Sequence, residues 1–370
     1  MVDGITQALA SLNVEPFTQL ATFLDSYCWW LFLLPSVAFY LLYPNVRHNK
    51  LRTFSFAGAL ILTAVLIIFI KWAFALPRPC ADMVWLAKTG LCPPDYSFPS
   101  GHTAYSFVFT GASLGTSFFP LFFLLSILVA LSRVYLGVHT FTDVIGGVVV
   151  GLGCYFIVEN LLRELFPSIV PESERKKIEK MKQEGAHLEI RRDIAHIAFG
   201  TAIITSVHFF GAGWTGLLLL LSLFLGMAAM HLRMKQKPIP FIDQLFDLLE
   251  RPRVMPAKGA FMYVLGALLA LSFLQDASKS SAVIAVLAWG DGMATIVGQL
   301  WGKYSPLPYN KKKSAHGALA FFLFGGTVAY LFIGLSSFLL AAICAMIETL
   351  DLKIDDNLLI PLVGILYLLF

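Results

Sequence analysis

Apolar runs long enough to cross the hydrocarbon of a bilayer recur along almost the whole chain, and no other feature limits its fold so strongly. They fall near residues 28–44, 54–76, 101–119, 120–138, 142–163, 194–214, 215–232, 259–275, 281–300, 316–335, 336–350 and 358–370. A spanning helix needs roughly 17–25 such residues, which gives about twelve spans. Inside lipid, backbone amides and carbonyls find no water and must pair within their own segment, so runs of this length fold as helices. Composition agrees: 58% of residues are hydrophobic and 14% charged, with a mean hydropathy of +0.75, outside the range of soluble domains. The expected fold class is an all-α integral membrane protein made of two polytopic transmembrane helix bundles.

The division into two comes from the long polar interruption PSIVPESERKKIEKMKQEGAHLEIRRD at 167–193, whose opposite charges at i,i+4 suit a solvated linker helix. The expected organisation is an interfacial amphipathic segment at 1–24, a membrane domain at 25–166, a cytoplasmic linker at 167–193 and a second membrane domain at 194–370. Residues 1–24 lack the basic start and continuous apolar core of a cleavable signal peptide. The net charge is only +4, but its placement informs. Arg47, His48, Lys50 and Arg52 follow the first span, Arg175, Lys176, Lys177, Lys180, Lys182, Arg191 and Arg192 the fifth, Arg251 and Arg253 the seventh, and Lys311, Lys312 and Lys313 the ninth. By the positive-inside rule these connections are cytoplasmic, so the loop at 77–100 is expected outside. Of five cysteines, Cys28, Cys154 and Cys344 fall in spans and read as core. Cys80 and Cys92 fall in the outer loop, where an oxidising compartment permits a disulfide.

Three clusters carry polar residues that hydrocarbon would exclude: Lys71-W-A-F-A-L-P-Arg78-Pro79, Pro99-Ser100-Gly101-His102, and Ser132-Arg133-V-Y-L-G-V-His139-T-F-T-Asp143. The span count brings all three to one membrane face. Lys71, Arg78 and Arg133 supply cations, and the Ser100 hydroxyl and Gly101 amide supply neutral donors, for a tetrahedral dianion. Pro77 and Pro79 end the helix around Arg78, and Gly101 opens the next helix, whose positive end favours an anion. His139 and Asp143 stand at i,i+4, so on one helical face the carboxylate would hold one ring nitrogen and aim the other at phosphorus. His139 is assigned as nucleophile and His102 as the general acid for the departing oxygen.

The motifs K-x6-RP, PSGH and SR-x5-H-x3-D closely resemble the three signatures of the type 2 phosphatidic acid phosphatase superfamily, over about residues 25–165. The resemblance implies a reaction on lipid phosphates or pyrophosphates, such as phosphatidate or undecaprenyl pyrophosphate, through a phosphohistidine and without a metal or other cofactor.

A second polar set gathers at the opposite face by the same count: Glu189, Arg192 and His196; Asp291 and Gly292, with Ala294, Gly298, Gly302 and Lys303; Lys313, Ser314, His316 and Gly317; Glu348; and Asp355, Asp356 and Asn357. Asp291 within an apolar span is costly and therefore functional by default. Carboxylates at Asp291, Glu348 and Asp356 could hold magnesium, while Lys303, Lys313 and the backbone near Ser314 could bind nucleotide phosphates.

The stretches E-x2-R-x3-H (189–196), GDGMATIVGQLWGK (290–303), KSAHG (313–317) and the E…DDNLLIPL ending (348–362) look like the CTP-dependent polyprenol kinase family, which includes dolichol, phytol and diacylglycerol kinases. This resemblance covers about residues 187–370 and implies CTP and magnesium as cofactors. One position departs from the pattern: His316 stands where the family carries an acid. The expected whole is a lipid phosphate phosphatase fused to a CTP-dependent lipid alcohol kinase in a bacterial inner membrane. Its first site is extracytoplasmic and its second cytoplasmic. The partners expected are a lipid phosphate substrate and membrane lipids, with no nucleic acid. A phosphatase with an inactive structural second module, and a transporter or flippase, are the alternatives.

Overall fold

The computed structural model describes residues 3–42, 49–82, 88, 92–172, 189–237, 239–240, 244, 255–302, 305–350 and 352–369. Arg47, His48, Arg251, Arg253, Lys303 and residues 173–188 of the expected linker lie outside them. Among the described residues every regular element is a helix, joined by turns and loops, with one isolated bridge pairing Pro306 and Ser314. It divides into two compact units, Met1–Glu172 and Ser173–Phe370. Each expected apolar run contains helix, and among the described residues six helices are long and apolar enough to cross a membrane, by length and composition.

The first unit contains α1 (Gly4–Ser11), α2 (Glu15–Leu42), α3 (Lys50–Phe74), the short α4 (Pro79–Asp82), α5 (Gly101–Ser113), α6 (Phe119–Tyr135) and α7 (Phe141–Leu165). No element boundary falls at residue 24: α2 runs from Glu15 straight into the first apolar run. The reason is packing. The Tyr135 hydroxyl accepts from the Val14 amide at 3.1 Å and bonds the Thr18 hydroxyl at 2.8 Å. Phe17 meets the Tyr135 ring edge-on at 4.6 Å, and the Phe141 amide donates to Thr6 Oγ1 at 2.8 Å. The amphipathic start is thereby tied to the ends of α6 and α7.

On α3, Ile61, Val65, Ile68, Phe69 and Trp72 form an exposed apolar stripe while Ala59, Thr63, Ile67 and Ile70 are buried. A helix apolar on both faces is one made for lipid on one side and protein on the other. Between α5 and α7 small residues permit close approach: a Cβ on Gly147 would come 2.7 Å from the Ser100 carbonyl oxygen, and one on Gly151 would overlap that of Ala104. Between α5 and α6 the Thr110 and Ser126 hydroxyls pair at 2.8 Å, and Ser126 donates to the Ser106 carbonyl at 2.9 Å. Such bonds contribute about 0.6 kcal/mol each in a membrane. They fix the helix ends on which the first polar cluster stands.

The second unit begins with α8 (Glu189–Met234), broken at Gly211, whose φ of 81° ends one arm and starts another. This kink separates the two runs expected at 194–214 and 215–232. Then come α9 (Lys258–Leu274), α10 (Ala277–Ala285), α11 (Gly292–Trp301), α12 (Ala315–Ala320), α13 (Gly326–Ile333), α14 (Ser336–Thr349) and α15 (Asp356–Leu369). Two π-helical turns, Val286–Asp291 and Phe321–Gly325, join α10 to α11 and α12 to α13. They meet closely, since a Cβ on Gly325 would lie 3.2 Å from the Gly290 Cα. π turns recur at functional sites, and the first of these ends on Asp291.

Candidate functional site

In the first unit the structure brings the three clusters together. Helix α3 stops at Phe74, with Ala75 left-handed at φ 47°. The chain then turns so that the Arg78 guanidinium reaches three partners at once. Its Nη1 donates to the Val138 carbonyl at 2.9 Å and lies 3.1 Å from His139 Nε2, while its Nε donates to the Asp95 carbonyl at 3.0 Å. Arg78 and His139 are both buried. Because a guanidinium can only donate, Nε2 must carry the lone pair, which places the imidazole proton on Nδ1. That nitrogen lies 3.6 Å from Asp143 Oδ2 and 3.4 Å from Ser97 Oγ.

Asp143 is itself fixed, its Oδ2 accepting from the Ser97 hydroxyl at 2.5 Å and the Thr140 amide at 2.7 Å in a capping box at the start of α7. His139 sits in the turn before that helix, so the two do not share one helical face as the i,i+4 spacing suggested; the cap brings them together instead. Burial pushes the His139 pKa down, and the Arg78 and Arg133 charges add to this against the hydrogen bond that Asp143 accepts and the charge it carries.

Ser100 is buried at the start of α5, its Oγ accepting from Thr103 Oγ1 at 3.0 Å and its amide donating to the Asp143 carbonyl at 3.0 Å. Gly101 opens that helix and His102 follows it. Two carboxylates that sequence reasoning missed hold the cations. Asp95 takes Lys71 at 2.6 Å and Arg78 at 2.7 Å; Lys71 also bonds the Tyr96 carbonyl. Burial opposes the Asp95 charge, but the hydrogen bonds and charges of Lys71 and Arg78 outweigh it and hold the pKa at about 2. Asp25, from α2, pairs with Arg133 and lies 4.0 Å from His102 Nε2. Asp25 precedes the first apolar run at 28–44 and Asp95 looked like an ordinary loop acid, so neither stood out. Cys80 and Cys92 are joined in a disulfide, Cα–Cα 5.7 Å, which ties α4 to the loop that carries Asp95.

In the second unit a cavity of about 680 Å³ is lined by Arg192, His196, Asp291, Lys313, Ser314, Glu348, Asp356 and Asn357 among others. One carboxylate oxygen each from Asp291, Glu348 and Asp356 lie within 4.8 Å of one another, a donor set of hard oxygens that fits a divalent cation such as magnesium. Lys313 pairs with Glu348 and lies 3.6 Å from Asp356. Burial disfavours its charge, but Glu348 and Asp356 outweigh that and push its pKa up.

Ser314 caps α12, accepting from the Gly317 amide at 3.1 Å. Gly292, buried at the start of α11, packs against Ile197 of α8. His316 bonds Ser305 and is not among the residues lining the cavity. Asp193, which the sequence reading passed over, is buried and accepts from Arg192 Nε at 3.1 Å and Nη2 at 2.9 Å; its Oδ2 has no hydrogen-bond partner.

A buried imidazole between a carboxylate and a guanidinium, beside two further cations and a helix start, suits transfer of a tetrahedral anion. Residues 52–166 match the PAP2 superfamily and form a domain of that superfamily; residues 25–51, expected within it, lie outside the match. The chain belongs to the same family as the uncharacterized protein MJ1137 of Methanocaldococcus jannaschii, with 32% identity over 177 residues, 47% of this chain and 90% of that protein. It is also similar to phytol kinase 1, chloroplastic, of Arabidopsis thaliana, 30% identical over 128 residues, 30% of this chain and 42% of the relative. CTP-dependent diacylglycerol kinase 1 of Schizosaccharomyces pombe is 31% identical over 132 residues, 30% of this chain and 60% of the relative. The chain thus spans less than two thirds of either kinase relative. No solved structure matches it.

Proposed function

We propose that the first unit hydrolyses lipid phosphates or pyrophosphates, of phosphatidate or undecaprenyl pyrophosphate type, through a phosphohistidine. The observation that carries this is His139 Nε2, 3.1 Å from Arg78, with the opposite ring nitrogen backed by Asp143. A substrate phosphate displaces Asp95 and Asp25 and takes their places on Lys71, Arg78 and Arg133, with Ser100 and the Gly101 amide as neutral donors. The Nε2 lone pair forms a bond to phosphorus as the bond to the lipid oxygen breaks, and His102 gives that oxygen its proton. Water then attacks phosphorus, His102 takes a water proton, and the phosphorus–nitrogen bond breaks to release inorganic phosphate. Basic residues after the first and fifth spans support an extracytoplasmic mouth, and a bacterial inner membrane is the setting we propose. Phosphate release from a panel of lipid phosphates, comparing wild type with His139→Ala, tests the reading. Equal release by both removes it.

For the second unit we infer a CTP-dependent lipid alcohol kinase facing the cytoplasm. Its support is the likeness to the plant and yeast kinases together with one cavity that holds three close carboxylates and a basic edge at Lys311, Lys312 and Lys313. Asp291, Glu348 and Asp356 would hold magnesium, which when bound neutralises phosphate charge. The lipid hydroxyl oxygen attacks the γ-phosphorus, the bond to the β,γ-bridging oxygen breaks, CDP leaves, and the hydroxyl proton passes to His196. His316 bonds Ser305 and does not line the cavity, so the proposed cation set is Asp291, Glu348 and Asp356 without an acid at position 316. Asp291→Asn is expected to abolish CTP-dependent lipid phosphorylation and spare phosphate release. A wild type with no such phosphorylation contradicts the inference. A lipid common to both activities would make the two a cycle on one carrier.

A further inference from the structure

The second unit contains another cavity of opposite character. It has a volume of about 330 Å³ and is walled by Phe199, Leu223, Gly226, Met230, Phe261 and Val264 among others. Phe199 comes from the first arm of α8, Leu223, Gly226 and Met230 from its second arm, and Phe261 and Val264 from α9. Arg192 and His196 line both cavities, so the apolar and the polar space meet at these two side chains. The His196 ring is held against Tyr263 at 4.8 Å, and the Tyr263 hydroxyl donates to the His196 carbonyl at 3.1 Å.

A molecule that fills both spaces needs a hydrocarbon part on one side and a reacting polar end on the other. A nucleotide does not satisfy this, because its base, sugar and phosphates are polar throughout, and the carboxylates and lysines of the larger cavity already suit it. A lipid alcohol does. The volume is near the lower end for ligand pockets, about 300–1,000 Å³, so it takes the carbons next to the hydroxyl and leaves the rest of a long tail to the bilayer.

Within the wall, Ser222, Gly226 and Met230 stand four residues apart and so fall on one face of the second arm of α8. Gly226 is the gap in that row: a Cβ there would meet nothing within 4 Å. We propose that this cavity seats the hydroxyl-proximal carbons of the acceptor lipid alcohol, and that Gly226 sets how much bulk next to the hydroxyl the site accepts. This rests on the kinase reading above. It implies selection by shape near the hydroxyl and indifference to tail length beyond it.

The test uses the full chain with farnesol, phytol and a short-chain diacylglycerol as acceptors, and compares wild type with Gly226→Ala and Gly226→Leu. Added carbons in a filled pocket change discrimination by roughly 10–200-fold. Gly226→Leu is therefore expected to raise the acceptor KM at least about tenfold, with Gly226→Ala between it and wild type. The KM for CTP, unchanged within about twofold, reports that the polar cavity is intact. An active Gly226→Leu variant with the wild-type acceptor KM overturns the assignment of this cavity, as does a rise shared equally by CTP and acceptor in both variants. A wild type that phosphorylates none of the acceptors removes the kinase reading itself, and with it this inference.

Discussion

The two units treat buried charge in opposite ways. In the first, the buried groups are cations, Arg78 and Arg133 at 7% and 3% side-chain exposure, and their partners are the more open carboxylates Asp95 and Asp25 at 55% and 38%. In the second, Glu348 is buried at 4% and its partner Lys313 is 31% exposed. Removing a partner from a buried charge is costly unless another takes its place. The buried member of each pair is therefore the one that needs a partner, and the open member is the one that can leave. On the function proposed above, the first site would receive an anion in exchange for a carboxylate, the second a cation in exchange for an ammonium.

Chelation should break the symmetry most strongly. A bound metal contributes several kcal/mol to a transition state, so EDTA is expected to lower CTP-dependent phosphorylation by about 10²–10³-fold. Phosphate release, which uses side-chain cations, should stay within about twofold; a common loss in both assays would merge the two sites into one kind. His102→Ala sharpens the first site's side of the contrast, with an expected drop in phosphate release of about 10²–10⁴-fold and no change in phosphorylation.

The pH profile comes next in size. The nucleophile must be neutral, and burial lowers the pKa of His139, so kcat for phosphate release should hold as pH falls through the ordinary histidine value near 6.5. It should be lost only as pH falls through the lowered value. An acid limb centred at 6.5 that persists in the residual activity of His102→Ala would mean the ring is not held as the structure shows. The smallest effect is expected from Asp95→Asn. Removing the exchangeable anion should tighten inhibition by vanadate or inorganic phosphate about fivefold, the worth of roughly 1 kcal/mol for a half-exposed pair. Weaker inhibition would make Asp95 part of the cradle and not its placeholder.

Much of the architecture was legible because a bilayer leaves so few choices. Runs such as 54–76 and 142–163 could only be helices, and the structure has α3 and α7 there. Lys71, Arg78, Arg133, His102, His139 and Asp143 were legible because charge and imidazole at span ends need a reason. Asp291, Glu348 and Asp356 were singled out as carboxylates that could hold magnesium, and the structure brings one oxygen from each within 4.8 Å of the others.

What stayed hidden depends on tertiary packing. The start of α2 is held by Tyr135, over a hundred positions away, through Val14, Phe17 and Thr18. In the π turn ending at Asp291, that residue is preceded by Val286, Leu287, Ala288, Trp289 and Gly290, with no polar residue to mark a face, so periodicity does not reveal the turn. Asp25, Asp95 and Asp193 earn their places only through Arg133, Lys71, Arg78 and Arg192, which approach them from elsewhere in the fold or along the helix.

The most direct measurement is to mix the full chain with a lipid phosphate labelled in its phosphoryl group, quench within milliseconds, and map the protein-bound label. An acid-labile, base-stable phosphoryl group is expected on His139, formed and lost at rates that match turnover and absent from His139→Ala. Full turnover with no label on the protein, or label on any residue other than His139, would contradict this expectation.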